Sequence, residues 1–220
     1  MLTDALPAVP DTPYPPSLNG TWLCQRIVTS IEGDQAQAEG AWRLLGGDGG
    51  DIKQRESFLL RFVDQPTGGR LAISGVDGKK YLGVVLDRGF EIDSRVHGAS
   101  VSWDRSAPDT LTYSRTAGGR GSAAELRVVQ RSVELPSEQG WGSNELIRIT
   151  TDGGAFGKIN YAVRVQRRFR RANDAATGGR VVEGLELVKT YRVLDGVAGI
   201  EYPTSTTKST IRLMRPKPSG

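Results

Sequence analysis

Hydrophobic and polar positions alternate with a period of two along most of this chain. At 161–169, Tyr161, Val163 and Val165 point one way while Arg164, Gln166 and Arg168 point the other, the pattern of a half-buried strand. Phe58, Leu60 and Phe62 likewise oppose Ser57, Leu59, Arg61 and Val63. The split is less clean at 124–133, where Leu126 and Val128 oppose Glu125, Arg127, Val129 and Arg131. Runs of this kind predict strands at 21–30, 57–64, 70–74, 80–87, 99–104, 110–116, 124–135, 144–151, 160–171, 181–193 and 207–215. Turn chemistry separates nearly all of them, including Asp77-Gly78, Pro108-Asp109, Gly118-Gly119, Asp152-Gly153-Gly154, Thr177-Gly178-Gly179 and Asp195-Gly196.

Regular spacing without interposed amphipathic helices predicts an all-β protein, an antiparallel meander closed into a barrel of about 8–10 strands. Closure would remove the exposed edges that so many strands otherwise carry. The region 31–50 is the least strand-like. Its stretch from Gln35 to Leu45 tolerates a short helix that Gly40 weakens and Gly46-Gly47 ends; a lid or a plain long loop both satisfy the pattern. Residues 1–19 carry Pro7, Pro10, Pro13, Pro15 and Pro16 and read as an extended arm lying on or trailing from the body. The division is therefore arm (1–19), single barrel domain (20–215) and tail (216–220).

Composition narrows the function classes. The 220 residues, 37% hydrophobic content and 28 glycines suit one large β domain. A net charge of +4 is mild, and nucleic-acid binding would need the excess concentrated on one face. The nearest approach is Arg164, Arg167, Arg168, Arg170 and Arg171. Alternation places Arg164, Arg168 and Arg170 on one face and Arg167 and Arg171 on the other. Such a stripe suits an anionic or acidic protein surface, or equally a solvated wall that discourages aggregation. No nucleic-acid partner is expected. No run of eighteen apolar residues exists, so no membrane-spanning helix is expected, and the first nineteen residues lack a signal-peptide layout.

Candidate chemistry is sparse. His97 is the single histidine and Cys24 the single cysteine, too few for a His/Cys metal centre or an internal disulfide. His97 sits in the turn-like Arg95-Val96-His97-Gly98, and Cys24 reads as a buried, inert thiol on a strand. No Gly-x-Ser-x-Gly nominates a nucleophile. Glu183 and Glu186 stand at odd separation and face opposite sides of a sheet. Asp87, Glu91 and Asp93, and Asp48 with Asp51, read as solvated turn and edge carboxylates. Gly46-Gly47-Asp48-Gly49-Gly50 lacks the Lys-Ser/Thr of a phosphate loop. No metal, no cofactor and no catalytic residue is expected, which makes a non-enzymatic role the working expectation.

Gly20-Thr21-Trp22 at the head of the first strand is similar to the Gly-x-Trp signature of lipocalins and related barrels. That resemblance implies an indole plugging one barrel end, crossed by an arginine of the last strand: Arg212 first, Arg215 second. Trp22 pointing inward would carry Cys24 and Arg26 inward with it, where Arg26 must be paired or meet an anionic group such as a ligand carboxylate. A bulge after Trp22 would instead turn Leu23 and Ile27 inward. Longer runs resemble an uncharacterised family of cyanobacterial and plastid proteins with a lipocalin-like, calycin-type barrel. They are Asp87-Arg88-Gly89-Phe90-Glu91-Ile92-Asp93-Ser94-Arg95, Val101-Ser102-Trp103-Asp104, Val128-Val129-Gln130-Arg131-Ser132 and Pro203-Thr204-Ser205-Thr206-Thr207-Lys208-Ser209. The resemblance implies a plastid, thylakoid or cyanobacterial setting and brings no activity with it. The resulting expectation is a barrel holding a small apolar or amphipathic ligand such as a pigment, quinone or fatty acid. Its lining would be Trp22, Arg26, Phe58, Tyr81, Phe90, Trp103, Tyr113 and Tyr161. The rival is an interaction scaffold docking on a thylakoid membrane complex through the arm and the Arg164, Arg168 and Arg170 face.

Overall fold

In the computed structural model, ten antiparallel strands form one sheet that curls into a half-barrel. The structure describes residues 11–47, 50–65, 72–74, 80–117, 120–137, 140–152, 157–174, 179–191, 193–194, 197–198 and 202–215. A 3-10 turn at Pro16–Leu18 leads into β1 (Gly20–Gly33), α1 (Gln35–Leu44) and β2 (Glu56–Asp64). Then come β3 (Ala72–Ser74), β4 (Lys80–Leu82), β5 (Val84–Leu86), α2 (Arg88–Arg95), β6 (Ser100–Trp103) and β7 (Thr110–Ala117). The long strands β8 (Arg120–Ser137), β9 (Gly140–Asp152), β10 (Lys158–Asp174) and β11 (Gly179–Tyr191) follow. Two short strands, β12 (Val193–Leu194) and β13 (Val197–Ala198), precede β14 (Ser205–Met214). The expected turns at 77–78, 118–119, 153–154 and 195–196, the first ten residues of the arm, and the tail at 216–220 lie outside the described residues.

The strand order is β5-β2-β1-β14-β11-β10-β9-β8-β7-β6, so the first strand meets the last. Leu23 faces Met214, Arg26 faces Ile211 and Gly33 faces Ser205, with one register shift between Val28 and Ser30. The ladder runs out at β5 and β6, the two edges of the sheet, which follow one another along the chain with only α2 between them. That helix packs on β2 at one side and on β6 and β7 at the other, so side chains rather than a ladder span this gap.

Neither helix arises from a long amphipathic stripe; caps and tertiary burial specify them. Asp34 accepts a hydrogen bond from the Gln37 amide at the start of α1, and Asp87 accepts one from the Phe90 amide at the start of α2. The region 35–44 is thus a helix and not a plain loop. Its Ala38, Ala41 and Trp42 are buried, and it covers the barrel end opposite Trp22. The helix at 88–95 was absent from the pattern-based reading, because its core-facing stripe is largely charged: Glu91 and Arg95 are buried with Ile92.

Along each long strand the inward residues fall into layers. Trp22, Cys24, Phe58, Leu60, Phe62, Trp141, Phe169, Val182, Ile211 and Leu213 belong to one apolar cluster with Tyr14 and Leu18. Ala41, Val128, Ile147, Ile149, Val163, Val165 and Val188 form another, under α1. A third, of Ile92, Val96, Leu111, Tyr113 and Ala124, lies beside α2. Between the first two clusters five strands place a charged or small polar residue: Arg26 on β1, Glu145 on β9, Arg167 on β10, Glu186 on β11 and Ser209 on β14. Gly184 falls in the same stretch, where a Cβ would meet the Phe169 ring at 2.6 Å, so only glycine lets that ring close.

Candidate functional site

The polar middle layer is built as two ion networks. Trp22, Cys24 and Arg26 share the inward face of β1, so no bulge resets parity after Trp22, and Arg26 is 5% exposed. Its Nε donates to Glu186 Oε1 at 2.7 Å and its Nη1 to Glu56 Oε2 at 3.3 Å. Glu186 accepts a second bond from Arg167 Nε at 2.8 Å, and Arg167 Nη2 reaches Glu91 Oε1 at 3.4 Å. Arg95 closes the circuit, with Nη1 at 3.5 Å from Glu91 Oε1 and Nη2 at 2.7 Å from Glu56 Oε1. Three arginines and three carboxylates alternate around a ring in which every charge meets two of opposite sign.

Such an arrangement is what makes charge tolerable away from water: an isolated buried ion is costly, and a fully paired, neutral set offsets most of that cost. Burial disfavours the Glu186 carboxylate, yet Arg167 and Arg26 beside it prevail and hold its pKa at about 2. Burial likewise disfavours the Arg95 guanidinium, and Glu56 and Glu91 outweigh it, raising the pKa.

A second network centres on Glu145 of β9. Arg88 donates twice to Glu145, at 3.0 and 2.7 Å, and once to Asp11 at 3.0 Å. Arg131 Nε donates to Glu145 Oε1 at 2.6 Å and Nη1 to Asp109 at 3.1 Å, with Nη2 at 3.5 Å from Asp11. Glu145 is also held at about 2: burial opposes ionisation, and Arg88 and Arg131 overcome it. Arg131 enters the interior because the register of β8 shifts between Val128 and Gln130, which leaves Val129 exposed and turns the next residues over. That extra residue explains the poor alternation at 124–133.

Among the described residues, two recesses adjoin the networks and both are small. A recess of about 60 Å³ lies between the networks, lined by Arg88, Glu91, Asp109, Glu145 and Arg167 with apolar neighbours. One of about 20 Å³ adjoins Arg26, Trp42, Arg95 and Glu186. On the outer wall, by contrast, an open recess of about 650 Å³ crosses from β8 through β9, β10, β11 and β14 to Thr29 of β1. Leu185 and Leu187 form its apolar floor, with Asn144, Gln166, Arg168 and Lys208 around them. Leu185 is 65% exposed.

The expected lining residues do not converge on one cavity. Trp22 seals its end as expected, with Nε1 donating to the Leu18 carbonyl at 2.6 Å. The cation over its ring is Arg215, at 4.1 Å, and not Arg212. Arg212 pairs with Gln25 between the buried Ile211 and Leu213, so parity keeps it off the face that Trp22 occupies. Phe58 lies under Arg95 at 4.4 Å and Phe90 under Arg61 at 4.3 Å. Trp103 donates to the Pro108 carbonyl, Tyr113 donates to the carbonyl of Leu44, and Tyr161 packs on the cluster under α1. The Tyr81 side chain lies outside the described residues. Arg26 meets the protein's own carboxylates.

The outward arginines are also matched. Arg164 donates to Asn144, Arg168 pairs with Glu134 at 2.9 Å and Arg170 with Glu183 at 2.9 Å. Glu183 and Glu186 do face opposite sides, one outside and one in the ring. Glu91 is buried, so it is not a solvated carboxylate; Asp87 caps α2 and pairs with Arg61, while Asp93 is exposed and Asp48 lies outside the described residues. His97 is exposed on the turn after α2 and Cys24 is 1% exposed, its thiol pKa pushed up by burial. Pattern reading passed over Glu56, Arg88, Arg95, Arg131, Glu145 and Arg167 as interior groups. Parity alone signals Arg167, on the face of Tyr161, Val163 and Val165, and Glu145, on the face of Ile147 and Ile149.

Among the described residues no group of three or more His, Cys, Asp or Glu side chains could hold a metal ion, and no described helix is long and apolar enough to cross a membrane. No curated protein and no solved structure matches the chain. Over residues 7–219 it matches a family model, and the chain therefore belongs to the family described as Domain of unknown function (DUF6816).

Proposed function

We propose that this protein is a non-enzymatic interaction module that receives a protein partner on the outer wall of its half-barrel. The observation that carries this reading is the contrast between interior recesses of about 60 and 20 Å³ and an outer recess of about 650 Å³. Small-molecule sites usually occupy roughly 300–1,000 Å³. The two described interior recesses are well below that, which favours a guest on the outer wall over cargo held between the ion networks. The outer recess has the make-up of a docking site: two leucines in the floor, polar side chains around them and ion pairs at the rim. The long strands β8 to β11 lie beneath it, with the ionic ring on their opposite face.

The guest that fits is an amphipathic protein segment with an apolar anchor for Leu185 and Leu187. The resemblance to cyanobacterial and plastid barrels suggests a photosynthetic setting, and a subunit of a thylakoid membrane complex is the partner we propose. A lipocalin-like ancestry belongs to the same proposal, resting on Gly20-Thr21-Trp22 and the Trp22–Arg215 stack. The recess volume would also admit a quinone, pigment or fatty acid, and the test separates the two.

A photo-crosslinking residue placed at Gln166, in the recess lining, should trap one defined protein partner, and adding Leu185→Arg with Leu187→Arg to that variant should abolish trapping without lowering Tm. Native mass spectrometry should show no small-molecule adduct. A lipid or pigment adduct lost in the same double variant would replace the protein partner by a small ligand. Trapping that survives the double substitution would refute the recess as the site.

A further inference from the structure

Residues 11–14 of the N-terminal arm neither trail from the body nor merely rest on it. Thr12 is 1% exposed and Tyr14 is 4% exposed, and Pro13 is buried between them. The Asp11 carboxylate is held by Arg88 at 3.0 Å, with Arg131 at 3.5 Å. The Tyr14 ring stacks edge-on against Phe62 at 5.0 Å and Phe169 at 6.4 Å. Its backbone exchanges two hydrogen bonds with Val84 on the free edge of β5, Tyr14 N to Val84 O at 2.7 Å and Val84 N to Tyr14 O at 2.9 Å. At Gly83 a Cβ would stand 2.9 Å from Pro13 Cβ and 3.0 Å from the Tyr14 carbonyl, so the edge is shaped to let a chain pass close.

The arm is thus seated as a bound peptide is seated: strand addition to an edge, an acidic side chain in an arginine fork and an aromatic ring in an apolar box. Two features make the seat separable from its occupant. Pro13, Pro15 and Pro16 have no N–H to donate, so the pairing with β5 is limited to the single bridge at Tyr14. The seat is also preorganised without the arm. Arg88 keeps its two bonds to Glu145, and Arg131 keeps Glu145 and Asp109.

We propose that this trough is a peptide-recognition site, filled in the isolated protein by residues 11–14 and open to an extended partner segment carrying a carboxylate three residues before an aromatic ring. Displacing the arm frees the β5 edge, the Arg88–Arg131 fork and the Phe62–Phe169 box together. The site is distinct from the outer recess, and its fate is independent of that reading.

The test uses the full chain with Asp11→Ala and Tyr14→Ala, which weakens the internal occupant, and a fluorescent peptide of residues 8–18 as the probe. The peptide should bind this variant at least tenfold more tightly than wild type. A probe with Asp11→Asn and Tyr14→Ala should bind neither. Equal binding to both proteins, with cooperative unfolding of the variant retained, overturns the proposal, as does indifference to the probe's carboxylate and ring. Self-association of wild type that displaces the probe would assign the trough to a second copy and overturn the partner reading. Hydrogen exchange on wild type decides the matter if the variant does not fold. The Tyr14 and Val84 amides should exchange at least tenfold faster than those of Val163 and Val165 in β10, and equal protection overturns the idea.

Discussion

Replacing Glu186 by Gln probes the ring at its most buried carboxylate. Glu186 is 6% exposed and takes Arg26 Nε at 2.7 Å and Arg167 Nε at 2.8 Å, so the amide leaves two guanidiniums with one charge fewer to share. Breaking a buried pair in this way costs about 3–5 kcal/mol, because the residual charge stays out of water. For a chain of this size each kcal/mol moves Tm by about 2–4 °C, so Glu186→Gln should lower Tm by roughly 6–20 °C. Removing the adjacent pair, Arg26→Met with Glu186→Leu, leaves Glu56, Arg95, Glu91 and Arg167 as an open but still alternating, neutral chain. That double variant should recover most of the loss, since well-packed apolar replacements of a buried pair are often neutral. Differential scanning calorimetry at pH 7 on the wild type, Glu186→Gln, the single variants Arg26→Met and Glu186→Leu, and their double variant measures the coupling directly. A drop below about 2 °C for Glu186→Gln, or a double variant as unstable as the sum of the singles, would refute the claim that charge balance around the ring governs its contribution.

Three further outcomes follow from the same contacts. The pKa values of Glu145 and Glu186 lie at about 2, below their ordinary 4.5, so the unfolded chain binds more protons than the folded one between these values. Stability is therefore fully present above about pH 4.5 and falls as pH drops toward 2, by on the order of 3 kcal/mol per carboxylate, which urea melts across this range would show. Arg215→Ala should cost about 1 kcal/mol through lost stacking on Trp22, whereas Arg212→Ala should leave the Trp22 indole NMR resonance in place. Deleting Val129 should keep Arg131 on Glu145 and Asp109, because it removes the extra residue and leaves Arg131 two positions after the inward Val128, whereas inserting an alanine between Gln130 and Arg131 turns Arg131 outward and should cost far more; comparing the two denaturation midpoints checks it.

Much of the architecture was legible in one dimension because alternation has a short period. Tyr161, Val163 and Val165 marked the inner face of β10, and Gly20-Thr21-Trp22 marked a sealed end, without reference to any distant residue. The ordering of strands, with β1 beside β14, follows from the same alternation and from the need to limit free edges. Trp22, Phe58 and Tyr113 are buried and Phe90, Trp103 and Tyr161 half-buried, and burial of each separately does not make a shared cavity.

What the linear chain determined by itself is therefore the strand content, the parity of its cleanest strands and the poverty of nucleophiles and metal ligands. Tertiary structure alone decided the interior. A charged side chain read in isolation belongs in water, and it becomes an interior residue only when an opposite charge is delivered to it; Glu186 reaches Arg26 from 160 positions away. Bulges compound this, since a single inserted residue at Val129 reverses which side chains face in, and nothing local announces it. The arm shows the same limit: its prolines predicted an extended path, while the seating of Asp11 and Tyr14 arises from a fork and a box assembled by four separate strands and a helix.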